Sequence, residues 1–174
     1  MDMKLEVLFI PVSDVDRVKR FYERLGFRLD IDYANEDFVI QFTPTSLEAS
    51  IIFGKGVTSA QPGSMDPPVL AVYDIEAARD DLIARSVDVS EVFHYAGCPF
   101  NNAVENPRAS GRDPQGRSYY SFASFKDPDG NGWLLQEIQT RLPGREWNLT
   151  RPQAMDVATL AGLLLETAEH HGNF

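Results

Sequence analysis

The chain has 174 residues, of which 43% are hydrophobic and 24% charged, the balance of a globular protein rather than of a disordered or membrane one. Its formal net charge of -10 repels phosphate groups, so we expect neither nucleic acid nor a membrane as partner. A neutral or cationic small ligand is easier to accommodate. The single cysteine, Cys98, excludes an intrachain disulfide. Together with the absence of signal-peptide features, it favours a cytoplasmic location.

The first part of the chain predicts a β-α-β-β-β unit over residues 4–53, which we call module 1. An apolar, β-branched run from Lys4 to Val12 predicts a strand, and Asp14 after it is a good helix N-cap. Apolar residues then recur at helical spacing as far as Leu25, and Gly26 ends the helix. The remaining three strands are predicted at Phe27 to Tyr33, Phe38 to Thr43 and Ala49 to Phe53.

A second unit of the same order, module 2, is predicted over residues 68–139, after a linker rich in glycine and proline. Sliding the sequence by 60 residues places Asp14 on Asp74 and Val15 on Ile75, which predicts a second capped helix ending near Ser86. The predicted strands are Pro68 to Tyr73, Val87 to Tyr95, Ser118 to Phe125 and Gly132 to Gln139. We therefore expect residues 1–140 to form one domain made of two modules.

Two segments fall outside this pattern. Residues 96–117 are rich in glycine, proline, asparagine and arginine and are too long for a hairpin, which predicts a lid or a disordered insertion. Residues 141–174 form a carboxy-terminal extension, in which the apolar spacing predicts a helix over about 152–169. We expect that helix to pack on a sheet or across a subunit interface.

Two motifs carry a resemblance to a known family. The string from Val12 to Tyr22, followed by Leu25-Gly26-Phe27, resembles the opening of a vicinal oxygen chelate module. The string from Phe125 to Trp133, which contains Asp-Pro-Asp-Gly-Asn, resembles the turn into that family's final strand. The resemblance to this glyoxalase, bleomycin-resistance and dioxygenase superfamily implies an α+β fold of two βαβββ modules. It also implies a barrel cavity and a homodimer.

The same resemblance allows the metal site of the family to be checked position by position. Its first-strand ligands correspond here to Val7 and Pro67, and its last-strand ligand to Leu134. A fourth position falls at Ile51 or Ile52. Alkyl side chains offer no donor atom to a divalent ion. We therefore expect no metal at the usual positions and no other cofactor.

Strand alternation then predicts the lining of the cavity. If Val7 points inward, Phe9 does too, joined by Val69 and Ala71 of the matching strand in module 2 and by Leu134 and Gln136 of the last strand. The polar and aromatic residues predicted near the mouth are His94, Tyr95, Arg108, Arg112, Arg117, Tyr119 and Tyr120. Such a lining is apolar with sparse polar groups, which is typical of a small-molecule site. The alternative is a cavity filled by its own side chains.

Three functions remain open from the sequence. The first is a metal-free protein that binds a small, apolar or planar molecule, as bleomycin-resistance proteins do. The second is a glyoxalase-like lyase or isomerase, or a dioxygenase, with a metal on non-standard ligands such as His94, Gln136 or Glu137. The third is a structural or regulatory module that associates through its carboxy-terminal helix.

Overall fold

The computed structural model describes residues 3–33, 39–97, 99–100 and 107–143. These residues form two mixed sheets and two helices, which confirms the predicted α+β class. The predicted helix over 152–169 lies outside the described residues, as do Cys98, His170 and His171. Within the described part of the chain, neither helix has the length and apolar character needed to cross a membrane.

Module 1 contains helix α1 and a four-stranded sheet, sheet 1. The helix is α1 (Val15–Arg24), and the strands are β1 (Val7–Phe9), β2 (Arg28–Asp32), β3 (Val39–Thr43) and β4 (Ser50–Gly54). The strand order is β1-β4-β3-β2, with β1 parallel to β4 and the other pairs antiparallel. The observed order of elements is the predicted β-α-β-β-β.

Module 2 contains helix α2 and a five-stranded sheet, sheet 2. The helix is α2 (Ile75–Ala84), and the strands are β5 (Val69–Val72), β6 (Phe93–Tyr95), β7 (Arg108–Ser110), β8 (Ser121–Lys126) and β9 (Gly132–Glu137). The strand order is β5-β9-β8-β6-β7, and β5 is parallel to β9. Strand β7 was not predicted, because its Arg-Ala-Ser sequence lacks the β-branched and aromatic residues that mark strands.

Both helices begin and end where the capping residues predict. The side chain of Asp14 accepts a hydrogen bond from the backbone N–H of Arg17, and Asp74 does the same for two N–H groups at the start of α2. Gly26, at φ 78°, adopts the left-handed conformation that commonly follows a helix.

Two predicted strands of module 2 are shorter than expected for local reasons. At Ser90 the hydroxyl oxygen accepts a hydrogen bond from the backbone N–H of Ser124, at 2.9 Å, so a side chain replaces a ladder bond. The strand predicted from Val87 therefore begins only at Phe93. At the start of β8, Tyr119 has a φ of 73°, which no strand allows, and regular pairing begins at Ser121.

One hydrophobic core joins the two modules. Tyr22 on α1 packs edge-on against Trp133 on β9, with ring centroids 6.1 Å apart, and its hydroxyl accepts a hydrogen bond from the indole N–H at 3.1 Å. Phe125 of β8 stacks on the other side of Trp133 at 6.2 Å. Helix α1 of module 1 thus packs against sheet 2 as well as against its own sheet.

The Asp-Pro-Asp-Gly-Asn turn of module 2 bonds to module 1 at the junction between the two modules. Asn131 is fully buried, and its amide donates hydrogen bonds of 2.8 Å to the carbonyl of Pro11 and to the carboxylate of Asp127. Asp129 accepts bonds from the backbone and hydroxyl of Ser13 and pairs with Arg17 at 2.7 Å. The two motifs that carry the resemblance are therefore bonded to each other.

Candidate functional site

Each sheet has one face turned toward the shared core and a second face, which we call the open face. On sheet 2 the register places Val69 opposite Leu134 and Ala71 opposite Gln136, so these four predicted cavity residues share the open face. The neighbouring pairs add Phe122 and Ser124 of β8 to the same face. The side chains predicted for the cavity on β5 and β9 therefore share one face of sheet 2.

Four aromatic rings form the floor of this open face. Phe93 stacks on Phe122 at 5.8 Å with 23° between the ring planes. Tyr95 and Phe100 each meet Phe122 edge-on, with centroids 5.4 Å and 5.6 Å away. Phe122 is completely buried, whereas Phe100 is 55% exposed. We call these four residues the aromatic floor.

Arg108 closes the stack on its outer side. Its guanidinium carbon lies 4.2 Å from the centre of the Phe93 ring and 5.9 Å from that of Tyr95. The order Phe122, Phe93, Arg108 is therefore a continuous stack of two rings and one planar cation. Strand pairing accounts for the position, because Arg108 lies directly opposite Tyr95 across β6 and β7.

A groove of about 1180 Å³ runs over this face. At one end it contacts Tyr95, Phe100 and Arg108, and at the other it contacts the turn between β8 and β9. The segment 63–67 forms part of the wall at the turn end, where the backbone of Met65 bonds to Asn131. Of the cavity residues predicted on this sheet, Leu134 contacts the groove, whereas Val69, Ala71 and Gln136 do not. The lining combines aromatic and apolar residues with charged ones, among them Asp66, Asp88 and Lys126.

Two predicted polar residues are already engaged by the protein. Gln136 is 6% exposed, and its amide donates a hydrogen bond of 2.9 Å to the backbone carbonyl of Tyr119. The hydroxyl of Tyr119 accepts a bond from the backbone N–H of Leu142 at 3.0 Å. Tyr119 was predicted within a strand, and its left-handed backbone instead directs it to the segment after β9.

His94 lies on the other face of β6 from Phe93 and Tyr95. Its strand partners are Ser121 and Ala109, and its Nδ1 atom is 2.9 Å from the carbonyl of Gly111. It does not contact the groove. The expectation that it lines the mouth fails because alternation within β6 gives the mouth to its neighbours.

Val7 and Phe9 lie on the open face of sheet 1, opposite Ser50 and Ile52 in the register. Phe9 is 54% exposed, and neither residue contacts the groove on sheet 2. The described chain therefore places the predicted cavity residues on two separate sheets, four on sheet 2 and these two on sheet 1.

A polar chain crosses the open face of sheet 1. Gln41 donates to the hydroxyl of Ser50 at 3.1 Å, and that hydroxyl lies 2.7 Å from the hydroxyl of Thr43. Thr43 in turn donates to the carboxylate of Asp30, which pairs with Arg28 at 2.5 Å. The hydrogen bond from Arg28, with that from Thr43, lowers the pKa of Asp30 below its usual value.

The family's metal positions do not fit a metal in this chain. Val7, Pro67, Leu134 and the Ile51 and Ile52 pair carry hydrocarbon side chains. Throughout the described ranges no group of three or more histidine, cysteine, aspartate or glutamate side chains converges on one point. Glu137 faces the core side of sheet 2, where it accepts from the N–H of Ile75 and pairs with Arg112. The three non-standard ligands considered above therefore do not converge.

The predicted lid is partly a fixed structure. Residues 108–110 form β7. The backbone N–H of Asp113 donates to the hydroxyl of Ser121, and its carboxylate accepts bonds from the backbone N–H and the guanidinium of Arg117. The bonds from Arg117 lower the pKa of Asp113 to about 2. Arg117 also lies over the ring of Tyr120, 3.8 Å from its centre. The second half of segment 96–117 is thus tied to sheet 2, and residues 101–106 lie outside the described residues.

Sequence reasoning missed three of the four rings in the aromatic floor. Phe93 and Tyr95 alternate in the predicted strand, which was a usable signal for a shared face. Phe122 could have been found in the same way from Ser124. Phe100 has a φ of 63° in a turn, and no periodic pattern predicts its position.

The two sheets, each with its helix and joined by a shared core, have the fold seen in solved structures of the glyoxalase, bleomycin-resistance and dioxygenase superfamily. No family model matches the sequence, and comparison with curated proteins finds no match. The fold therefore rests on the structure itself and on its likeness to solved structures.

Three of these structures are similar over most of the chain. An antibiotic binding protein from Streptomyces sp. CB03234 has 24% identity and a TM-score of 0.57, covering 79% of this chain and 97% of its own. A glyoxalase/bleomycin resistance protein from the same strain has 25% identity and a TM-score of 0.54, covering 77% and 100%. A superfamily member from Sphaerobacter thermophilus has 22% identity and a TM-score of 0.54, covering 78% and 98%.

Proposed function

We propose that this protein binds a small, largely apolar or planar molecule in the groove over the aromatic floor, as a bleomycin-resistance-like binding protein that uses no metal at the family's usual positions. The observation that carries the proposal is the aromatic floor, with Phe100 half exposed at its edge. Tyr95 and Phe100 line the groove, and rings at such a site bind planar molecules by stacking and by covering apolar surface. An antibiotic binding protein of similar fold supports the binding of a small molecule.

The arrangement supports binding rather than chemistry. Of the polar side chains predicted at the cavity, Gln136 is bonded to the backbone of Tyr119 and His94 lies away from the groove. Groups engaged in this way fix the shape of a site and leave affinity to its apolar surface. A binding protein needs this rigidity, whereas general acid-base catalysis needs a group within reach of the substrate.

We further infer that both modules act as one domain over residues 1–140 and that two copies pair into a homodimer in the cytoplasm. The edge strands support the pairing, because Leu5 just before β1, Phe9 in β1 and Val69 in β5 are 64%, 54% and 42% exposed. Exposed apolar side chains along sheet edges are typical of surfaces that associate. Light scattering combined with size-exclusion chromatography measures the mass, and Phe9→Asp should shift a dimer toward the monomer.

The binding proposal can be tested with N-phenyl-1-naphthylamine, a neutral planar probe that becomes fluorescent in apolar sites. We expect the wild-type protein to bind it, and Phe100→Ala to weaken binding by about tenfold through lost stacking area. Ile83→Ala is the control, since Ile83 is 45% exposed on helix α2, behind the sheet. Equal affinities in Phe100→Ala and the wild type would contradict the proposed site.

A further inference from the structure

We infer that Arg108 makes the groove selective for planar aromatic anions, with the anionic group at the aromatic end. This inference rests on the proposed function, because it names the ligand class of the same groove. It starts from the order of the stack, in which the guanidinium lies 4.2 Å above Phe93 and is itself exposed along strand β7.

A stacked guanidinium offers two kinds of contact at once. One of its faces is occupied by Phe93, so the opposite face is available to a further planar ring. The N–H groups at its edge bind carboxylate or sulfonate oxygens in a fixed plane. A planar ring that carries an anionic group can use both contacts, whereas a neutral ring uses only the first.

The aromatic floor also holds the side chain of Arg108 in one orientation before an anion binds. Stacking restricts the side chain, so less conformational freedom is lost when a ligand binds. No ion pair of Arg108 occurs among the residues that the structure describes.

The other charged groups of the groove lie at its opposite end. Asp88 precedes Val89, which bridges to Phe125, and this places Asp88 beside Lys126. Asp66 lies next to Pro67, which contacts the turn at Gly132. From Phe122 to Lys126 the strand extends roughly 13 Å. Measured along the strand, the backbone at Asp88 is thus farther from Phe122 than a Debye length of ~8 Å.

The net charge of -10 predicts a neutral or cationic ligand for the molecule as a whole, and the groove modifies that expectation locally. Long-range repulsion lowers the rate at which an anion arrives, and it is screened at physiological salt. Once an anion is bound, contacts at a few ångströms decide its affinity. Arg108 is the cation at that distance from the aromatic floor.

The test compares two probes with the same ring system. The anionic probe is 1-anilinonaphthalene-8-sulfonate, and N-phenyl-1-naphthylamine is its uncharged counterpart. Arg108→Gln keeps a planar end group and removes the charge, and Arg108→Lys keeps the charge and removes the plane. Lys126→Gln is the matched control, because it makes the same change in charge at the turn end of the groove.

We expect Arg108→Gln to weaken the anionic probe by about tenfold and the neutral probe by less than twofold. Arg108→Lys should give an intermediate loss for the anion, and Lys126→Gln should leave both affinities within twofold. Unchanged binding of the neutral probe also shows that the variant groove is intact.

Two results would overturn the inference. One is an equal loss for both probes in Arg108→Gln, and the other is an equal loss of the anionic probe in Lys126→Gln, which would reflect net charge alone. In either case the dependence of both probes on Phe100 would remain, and the proposed function would stand. Binding of both probes that does not respond to Phe100→Ala would instead contradict the proposed function.

Discussion

The two open faces of this molecule have the same topology and opposite chemistry. On sheet 1 a chain of hydroxyl, amide and carboxylate groups runs from Gln41 to Asp30, while the exposed side chain of Phe9 stands beside it. On sheet 2 the corresponding surface is a stack of rings closed by Arg108. The β-α-β-β-β order thus fixes where a face lies, and the side chains alone decide whether it suits a polar or a planar partner.

The comparison first predicts a large difference in stability between two phenylalanines. Phe122→Ala removes a ring that is completely buried between three others, and we expect a loss of about 3 to 5 kcal/mol in the free energy of unfolding. Phe9→Ala removes a ring that is 54% exposed and should cost under about 1 kcal/mol. Urea unfolding followed by circular dichroism measures both. Similar losses would mean that the rings of Phe122 and Phe9 are equally buried.

The second prediction asks whether the two faces belong to one cooperative unit. Asn131→Ala removes a fully buried amide that bonds Pro11 of module 1 and Asp127 of module 2, and we expect a loss of about 2 to 3 kcal/mol. Ser13→Ala breaks an exposed bond at the same junction and should cost about 1 kcal/mol or less. Far-ultraviolet circular dichroism and tryptophan fluorescence should give coincident transitions. Two separate transitions in the wild type would contradict a single domain.

The junction between the two modules also shows which features the sequence could predict and which it could not. Helices α1 and α2 follow from capping residues and apolar spacing, which are local properties, and both were found at the expected residues. The grouping of Val69 with Leu134 came from the family resemblance together with the period of two within each strand. The bonds of Asn131 to Pro11 span 120 residues, and no local pattern contains them.

The same distinction accounts for the errors in the site. His94 and Tyr119 were predicted at the mouth. In the structure the alternation within β6 turns His94 away from the groove, and the left-handed backbone of Tyr119 interrupts its predicted strand. Strand β7, which supplies Arg108, carries no apolar pattern at all. Positions fixed by tertiary contacts in this way cannot be read from periodicity.

The third prediction concerns the polar chain on sheet 1. Thr43→Val keeps the shape of a side chain that is 2% exposed and removes the hydroxyl that joins Ser50 to Asp30. We expect a loss of about 1 to 2 kcal/mol, because the buried hydroxyl of Ser50 and the partly exposed carboxylate of Asp30 each lose a bond. Thr140→Val, at an exposed position, is the control and should change stability by less than about 0.5 kcal/mol. Equal effects would show that the chain of hydroxyls contributes nothing.

The last prediction compares two carboxylates, one near each face, by their dependence on pH. Asp30 and Asp113 each pair with an arginine, and in both the pKa is lowered, to about 2 for Asp113. Because the folded pKa lies below the unfolded value, each pair stabilises the protein above about pH 4. That contribution is lost as the pH falls toward the folded pKa. The pairs therefore act in the same pH range and differ only in burial.

The side chain of Asp113 is 1% exposed and that of Asp30 is 19% exposed. We therefore expect Asp113→Asn to lower stability at pH 7 by about 1 kcal/mol, allowing for screening of the exposed Arg117, and Asp30→Asn by less. Urea unfolding at pH 7 and pH 3 measures the effect, which should shrink on acidification. A loss for Asp113→Asn that stays constant between these pH values would show that packing of the loop, and not its charge, holds this segment against sheet 2.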